Sequence, residues 1–212
     1  MIRKKPLLTV YHRLFEAYGP QHWWPARTPF EVMVGAILTQ NTAWTNVKRA
    51  IRNLEQAGYL DALALNNLGQ EQLAELIRPS GYFNIKAKRL QNFVAWYLEC
   101  GGHKNLKATD TPDLRGLLLA VNGVGPETAD DILLYAFERP VFVIDVYTRR
   151  LFTRLGLIRG DEDYESLRGA FESALDRDVP LYNEYHALIV RHAKERCARH
   201  QDCHHCRVEA PL

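Results

Sequence analysis

Three cysteines, Cys197, Cys203 and Cys206, are spaced C-x5-C-x2-C. Thiolates that close together gather on one ion or cluster, whereas a secreted disulfide scaffold spreads its cysteines through a shorter chain. Cys100 stands far from them and reads as an inert thiol. A second stretch, Gly123-Val124-Gly125-Pro126-Glu127, has the composition of a tight turn between two helices. Such a turn lets backbone amides and the N-terminus of the next helix approach a DNA phosphate without reading bases. An ordinary inter-helix turn has the same composition, so the stretch alone leaves both readings open. Asp145 follows Glu127 by 18 residues, after the apolar run Val141-Phe142-Val143-Ile144 and before Val146-Tyr147-Thr148. An aspartate there is placed to cap a helix, and capping and catalysis can coexist in one carboxylate.

Aromatic residues flank a second apolar run. Trp23-Trp24-Pro25 precedes Phe30 to Leu38, and Gln40-Asn41-Thr42-Ala43-Trp44 follows it. With the hairpin, the aspartate and the cysteines, these segments make the chain resemble the helix-hairpin-helix DNA glycosylases of the endonuclease III superfamily, from Tyr11 onward. The resemblance implies that Asp145 is catalytic and that Gly123, Val124 and Gly125 bind DNA. Strand-cutting members carry a lysine where this chain has Glu127, and that amine forms a Schiff base with the sugar. A carboxylate cannot form an imine, so the resemblance implies a monofunctional enzyme with weak or absent AP lyase activity. Lys86, Lys88 and Lys194 are other amines, but nothing in the sequence brings them to the sugar.

The W-W-P and Q-N-T segments are similar to those of the bacterial 3-methyladenine DNA glycosylase branch. That similarity implies a base pocket of Trp24, Pro25 and Trp44, with Lys194 at its edge. It implies that Gln40 fills the gap left by the flipped base and that Tyr82 wedges between bases of the other strand. Trp23 is expected in the core. The superfamily's C-x6-C-x2-C-x5-C pattern holds a [4Fe–4S] cluster. Cys197, Cys203 and Cys206 match it with one residue fewer in the first gap, and Leu212 stands at the fourth position. Three thiolates with His200, His204 or His205 would also suit zinc, and a site without metal is the remaining alternative.

The elements that must position these residues are helical. Leu7, Val10, Leu14 and Phe15 form a stripe ending near Gly19-Pro20, and residues 30–38 read as a buried helix. Further helices are expected at about 43–57, 70–78, 84–99, 111–120, 126–138, 146–156, 161–176 and 181–197. Gly58, Gly81, Gly101-Gly102 and Gly156 or Gly160 mark expected helix ends. Residues 141–144 are too isolated to build a sheet and read as an extended connection. The class is all-α, and the resemblance implies two lobes. One is a six-helix barrel over 25–137; the other joins 1–24 to 138–212 and carries the cysteine loop.

The chain has 212 residues, 47% hydrophobic and 25% charged, which excludes a disordered tail or a collagen-like fibre. No run approaches the ~18 apolar residues of a membrane span. Tyr11, His12, Arg13 and Glu16 interrupt any signal-peptide core, so a cytoplasmic, nucleoid-associated protein is expected. The net charge of +2 neither demands nor excludes nucleic acid.

These expectations converge on a monomeric base excision repair enzyme acting on double-stranded DNA with damaged bases, without a membrane partner. Its substrates would be alkylated purines such as 3-methyladenine, which are cationic and attracted to aromatic faces. The alternatives are an endonuclease III-like glycosylase for oxidised pyrimidines, with or without lyase activity, and a non-catalytic damaged-DNA binding protein. Asp145 argues against a pure binder, which needs no carboxylate facing the sugar of a polyanion.

Overall fold

Aspartate and threonine side chains set half of the helix starts, each accepting a backbone N–H of the first turn. The computed structural model describes residues 2–197 and 208. In chain order the helices are α1 (Lys4–Tyr18), α2 (Pro29–Leu38), α3 (Trp44–Gln56), α4 (Ala62–Asn66), α5 (Gln70–Leu76) and α6 (Phe83–Glu99). They continue with α7 (Gly102–Ala108), α8 (Thr111–Ala120), α9 (Pro126–Ala136), α10 (Val146–Arg154), α11 (Tyr164–Ala174) and α12 (Val179–His192). A 3-10 turn, Arg78–Ser80, precedes α6, and a π-helical turn, Ala193–Cys197, continues α12. No strand occurs among the described residues, so the class is all-α as expected. None of the described helices is long and apolar enough to cross a membrane.

The chain divides into two compact units, Met1–Pro25 with Pro140–Leu212, and Ala26–Arg139. The second unit holds α2 to α9. Residues Phe30 to Leu38 of α2 are all buried, and α2 packs on α9, the helix that the glycine turn opens. Two helices of this unit escape the sequence periodicity. Helix α4 has only five residues, held by Asp61 accepting from Leu63 and Ala64 N–H. Helix α7 begins where Gly101-Gly102 was expected only to end a helix: Gly101, at φ 78°, is its N-cap.

The first unit is built on aromatic packing. Phe142 lies 4.7 Å from Phe171 and 5.8 Å from Tyr185 between ring centroids, and Phe152 lies 4.9 Å from Phe171. The Tyr185 hydroxyl donates to Leu7 O at 2.7 Å, tying α12 to α1. Residues 141–144 are buried and belong to no helix or strand. Side chains satisfy two of their amides: Phe142 N–H donates to Glu172 Oε1 at 3.0 Å and Ile144 N–H to Tyr164 Oη at 3.4 Å. The apolar run therefore acts as a buried rod ending at Asp145. Helix α12 starts two residues earlier than expected because Asp178 caps it. Its expected end at 197 resolves into a helix to His192 and the π turn.

Candidate active site and DNA-binding hairpin

Asp145 caps α10: its Oδ1 accepts the Thr148 N–H at 2.6 Å. Its Oδ2 lies 3.5 Å from His186 Nε2 on α12. Both side chains are buried, with Asp145 7% and His186 5% exposed. Burial alone would raise the carboxyl pKa. The adjacent His186 first, then the Thr148 N–H, outweigh it and hold Asp145 below the usual carboxylate value. Asp145 is thus an ionised carboxylate at neutral pH, shielded from bulk water. One oxygen is committed to the helix cap and the other faces a histidine.

Lys194 lies on the π turn, a helix irregularity found often at functional sites. Its Nζ is 5.5 Å from the Tyr147 ring centroid and 6.0 Å from that of Trp23. Desolvation lowers its pKa, and the charge of Asp145 partly offsets this. Trp23 was expected in the core, but it is only half-buried, with its ring 6.0 Å from this lysine and 6.0 Å from the Trp24 ring. Trp24 is half-buried and Pro25 exposed. Cys197 ends the π turn as a buried residue whose carbonyl accepts from Arg154 Nη1 at 2.9 Å. Cys203 and Cys206, with His200, His204 and His205, lie outside the described residues. Among the described residues no group of three His, Cys, Asp or Glu side chains could hold a metal ion. Burial and then Glu99 push the Cys100 thiol up, as suits an inert thiol.

In the second unit, the hairpin turn joins α8 to α9. Gly123 has φ 102°, and a Cβ there would lie 2.3 Å from Arg89 Cγ, so both conformation and space require glycine. Gly125 differs: its φ is −94°, and a Cβ would meet nothing within 4 Å. Nothing inside the protein demands a glycine there. Val124 stands between the two glycines of the turn. Its N–H donates to Val121 O at 3.0 Å and its side chain is buried, so it closes the turn from within. Glu127 lies exposed in the first turn of α9.

Three further residues of this unit converge on the turn. Gln40 Nε2 donates to Gly123 O at 3.0 Å and to Thr128 Oγ1 at 2.9 Å, and its Oε1 accepts from Arg89 Nη1. Lys86, 1% exposed, donates to Leu38 O at 2.8 Å and Ser80 O at 2.7 Å. Burial, then the Arg89 charge, lowers its pKa to about 8. Leu38 and Ser80 each stand two residues before a candidate DNA-probing side chain, Gln40 and Tyr82. Lys86 therefore clamps both loops, and its buried amine is unsuited to attack a sugar. Tyr82 is 69% exposed at φ 45°, a left-handed conformation uncommon for a tyrosine. Trp44 is half-buried as the first residue of α3. His186 and Arg89 escaped the sequence reading, and Lys86 entered it only as an alternative amine, because the local sequence does not say what a polar side chain faces.

A glycine hairpin opening a helix, and a buried aspartate capping another after a buried apolar run, define a helix-hairpin-helix protein. The chain belongs to the HhH-GPD superfamily of base excision DNA repair proteins, whose family pattern matches residues 34–177, and within it to the endonuclease III superfamily of DNA glycosylases. It is 48% identical over 203 residues to "Putative DNA repair glycosylase MJ1434" of Methanocaldococcus jannaschii, covering 94% of this chain and 92% of that one. Among solved structures, H. pylori 3-methyladenine DNA glycosylase (MagIII) bound to 1,N6-ethenoadenine is 31% identical with a TM-score of 0.78. That likeness covers 92% of this chain and 98% of the other. Endonuclease III in a non-covalent DNA complex superposes with a TM-score of 0.82 over 98% and 94% of the two chains. At 20% identity that likeness speaks for the fold.

Proposed function

We propose that the protein is a monofunctional DNA glycosylase that flips out alkylated purines, such as 3-methyladenine, and hydrolyses their N-glycosidic bonds. The observation that carries the reading is Asp145, a buried carboxylate held ionised beside His186. In the reaction, positive charge develops on the sugar as the base departs. A carboxylate stabilises that charge best from a shielded site, and Oδ2, free of the helix cap, can also orient the attacking water. Extruding the base costs a few kcal/mol, less when the base is damaged. Trp24, Pro25 and Trp44 form the base pocket in this reading, with Lys194 at its edge. The 31% identity to a 3-methyladenine glycosylase supports that assignment. Cys197, Cys203 and Cys206 complete the proposal as ligands of a [4Fe–4S] cluster with a structural role. The buried Cys197 at a helix end suits a thiolate ligand, and no step of base release runs through the cluster.

Duplexes each carrying one lesion test the substrate class, with free base and strand nicks assayed separately. Release of alkylated purines without nicks is the expected result. Release of oxidised pyrimidines alone would transfer the protein to endonuclease III-like chemistry, and binding without any release would make it a damage sensor. Because this reading has Glu127 rather than a lysine at the imine-forming position, borohydride should trap no covalent protein–DNA adduct during base release. Efficient trapping would show that another lysine attacks the sugar.

The two hairpin glycines separate fold from binding. Gly123→Ala should lower the melting temperature, since it meets both a positive φ and the Arg89 side chain. Gly125→Ala should melt like the wild type yet weaken binding to damaged and undamaged duplexes by similar factors, because phosphate carries no base identity. Loss confined to lesion-containing DNA would remove Gly125 from the backbone-binding surface.

A further inference from the structure

Arg89 has no role in the reading above, yet it occupies the centre of the hairpin cluster. Its aliphatic stem lies against Gly123, close enough that a Cβ on the glycine would collide with it. Its guanidinium donates to one neutral acceptor, Gln40 Oε1. Among the described residues no carboxylate pairs with it, and its charged neighbour is the Lys86 amine. A half-buried guanidinium with five donors, one neutral partner and a second cation beside it favours an anion. Phosphate is the stronger acceptor and accepts two parallel N–H bonds, so the contact with an amide oxygen is readily exchanged. From this arrangement we infer that Arg89 is a second DNA-phosphate ligand of the hairpin, held in place by Gln40 until the duplex arrives. The inference rests on the reading of the hairpin as a phosphate-binding turn. It adds a side-chain charge to that turn and does not depend on which base is excised.

The consequence is measurable on undamaged duplex. Each phosphate contact adds about 0.9 to the slope of log affinity against log salt. Arg89→Met keeps a stem against Gly123 and removes the charge, so its slope should be shallower by about that amount. Raising salt from 50 to 200 mM should then weaken the variant about 3.5-fold less than the wild type. Arg89→Lys should restore the slope while binding less tightly, because an ammonium cannot make the bidentate contact. Arg89→Gln supplies the same loss of charge should the methionine variant fold poorly, and melting curves identify the variants to compare. A wild-type slope in the charge-removed variants overturns the inference and leaves the hairpin reading intact. Salt-independent binding by the wild type would overturn both.

Discussion

Asp145→Asn should lower base release about 100- to 1000-fold or more, the scale seen when one preorganised electrostatic group is removed from an active site. The substitution keeps shape and removes charge. Asparagine also caps helices, so the contact with the Thr148 N–H at 2.6 Å survives in kind, and the loss to the fold comes from the attraction to His186 rather than from the cap. Binding to damaged duplex should stay the same or tighten, because a buried negative charge near a polyanion has gone. Single-turnover base release, melting temperature and binding on the same preparation check all three statements. Near-wild-type release from a well-folded variant would remove Asp145 from the mechanism.

Trp44→Ala should lose several-fold to tens-fold in kcat/KM on 3-methyladenine DNA, or ~1–2 kcal/mol, the scale of stacking against a cationic base. The half-burial of Trp44 at the start of α3 makes the stability side of the test sharp. A core tryptophan truncated to alanine would cost ~3–5 kcal/mol, whereas a ring lining an open pocket leaves little internal void. Lost activity with an intact melting transition fits the pocket. Severe destabilisation, or full activity on alkylated DNA, would discard it.

Most of the helical frame was legible because its starts are written in local chemistry. The prolines in the first turns of α8 and α9 stand where those helices were expected to begin, at 111 and 126, whereas the Asp163 and Asp178 caps start α11 and α12 at residues that periodicity alone did not place. Helices α4 and α7 were not legible: one is too short for a period, and the other starts at a glycine pair that reads as a stop. Asp145 was legible as a cap and as a family position, but its partner was not. His186 sits 41 residues away in sequence, and only tertiary packing brings it to Oδ2. Gln40 shows the same limit from another side. Its sequence context implies a side chain for the duplex, while its bonds to Gly123, Thr128 and Arg89 tie it to the hairpin. The half-exposure of Trp23 was not legible either, because it depends on neighbours that the local sequence does not specify.

The most direct test of the central claim is chromatography of the free bases released from methylated duplex DNA by the wild type and by Asp145→Asn under single-turnover conditions. The account expects 3-methyladenine in the wild-type supernatant, with strands that break only after alkali, and almost none with the variant. Absence of alkylated purine from the wild-type supernatant, with release of an oxidised pyrimidine or of uracil from parallel duplexes, would contradict it.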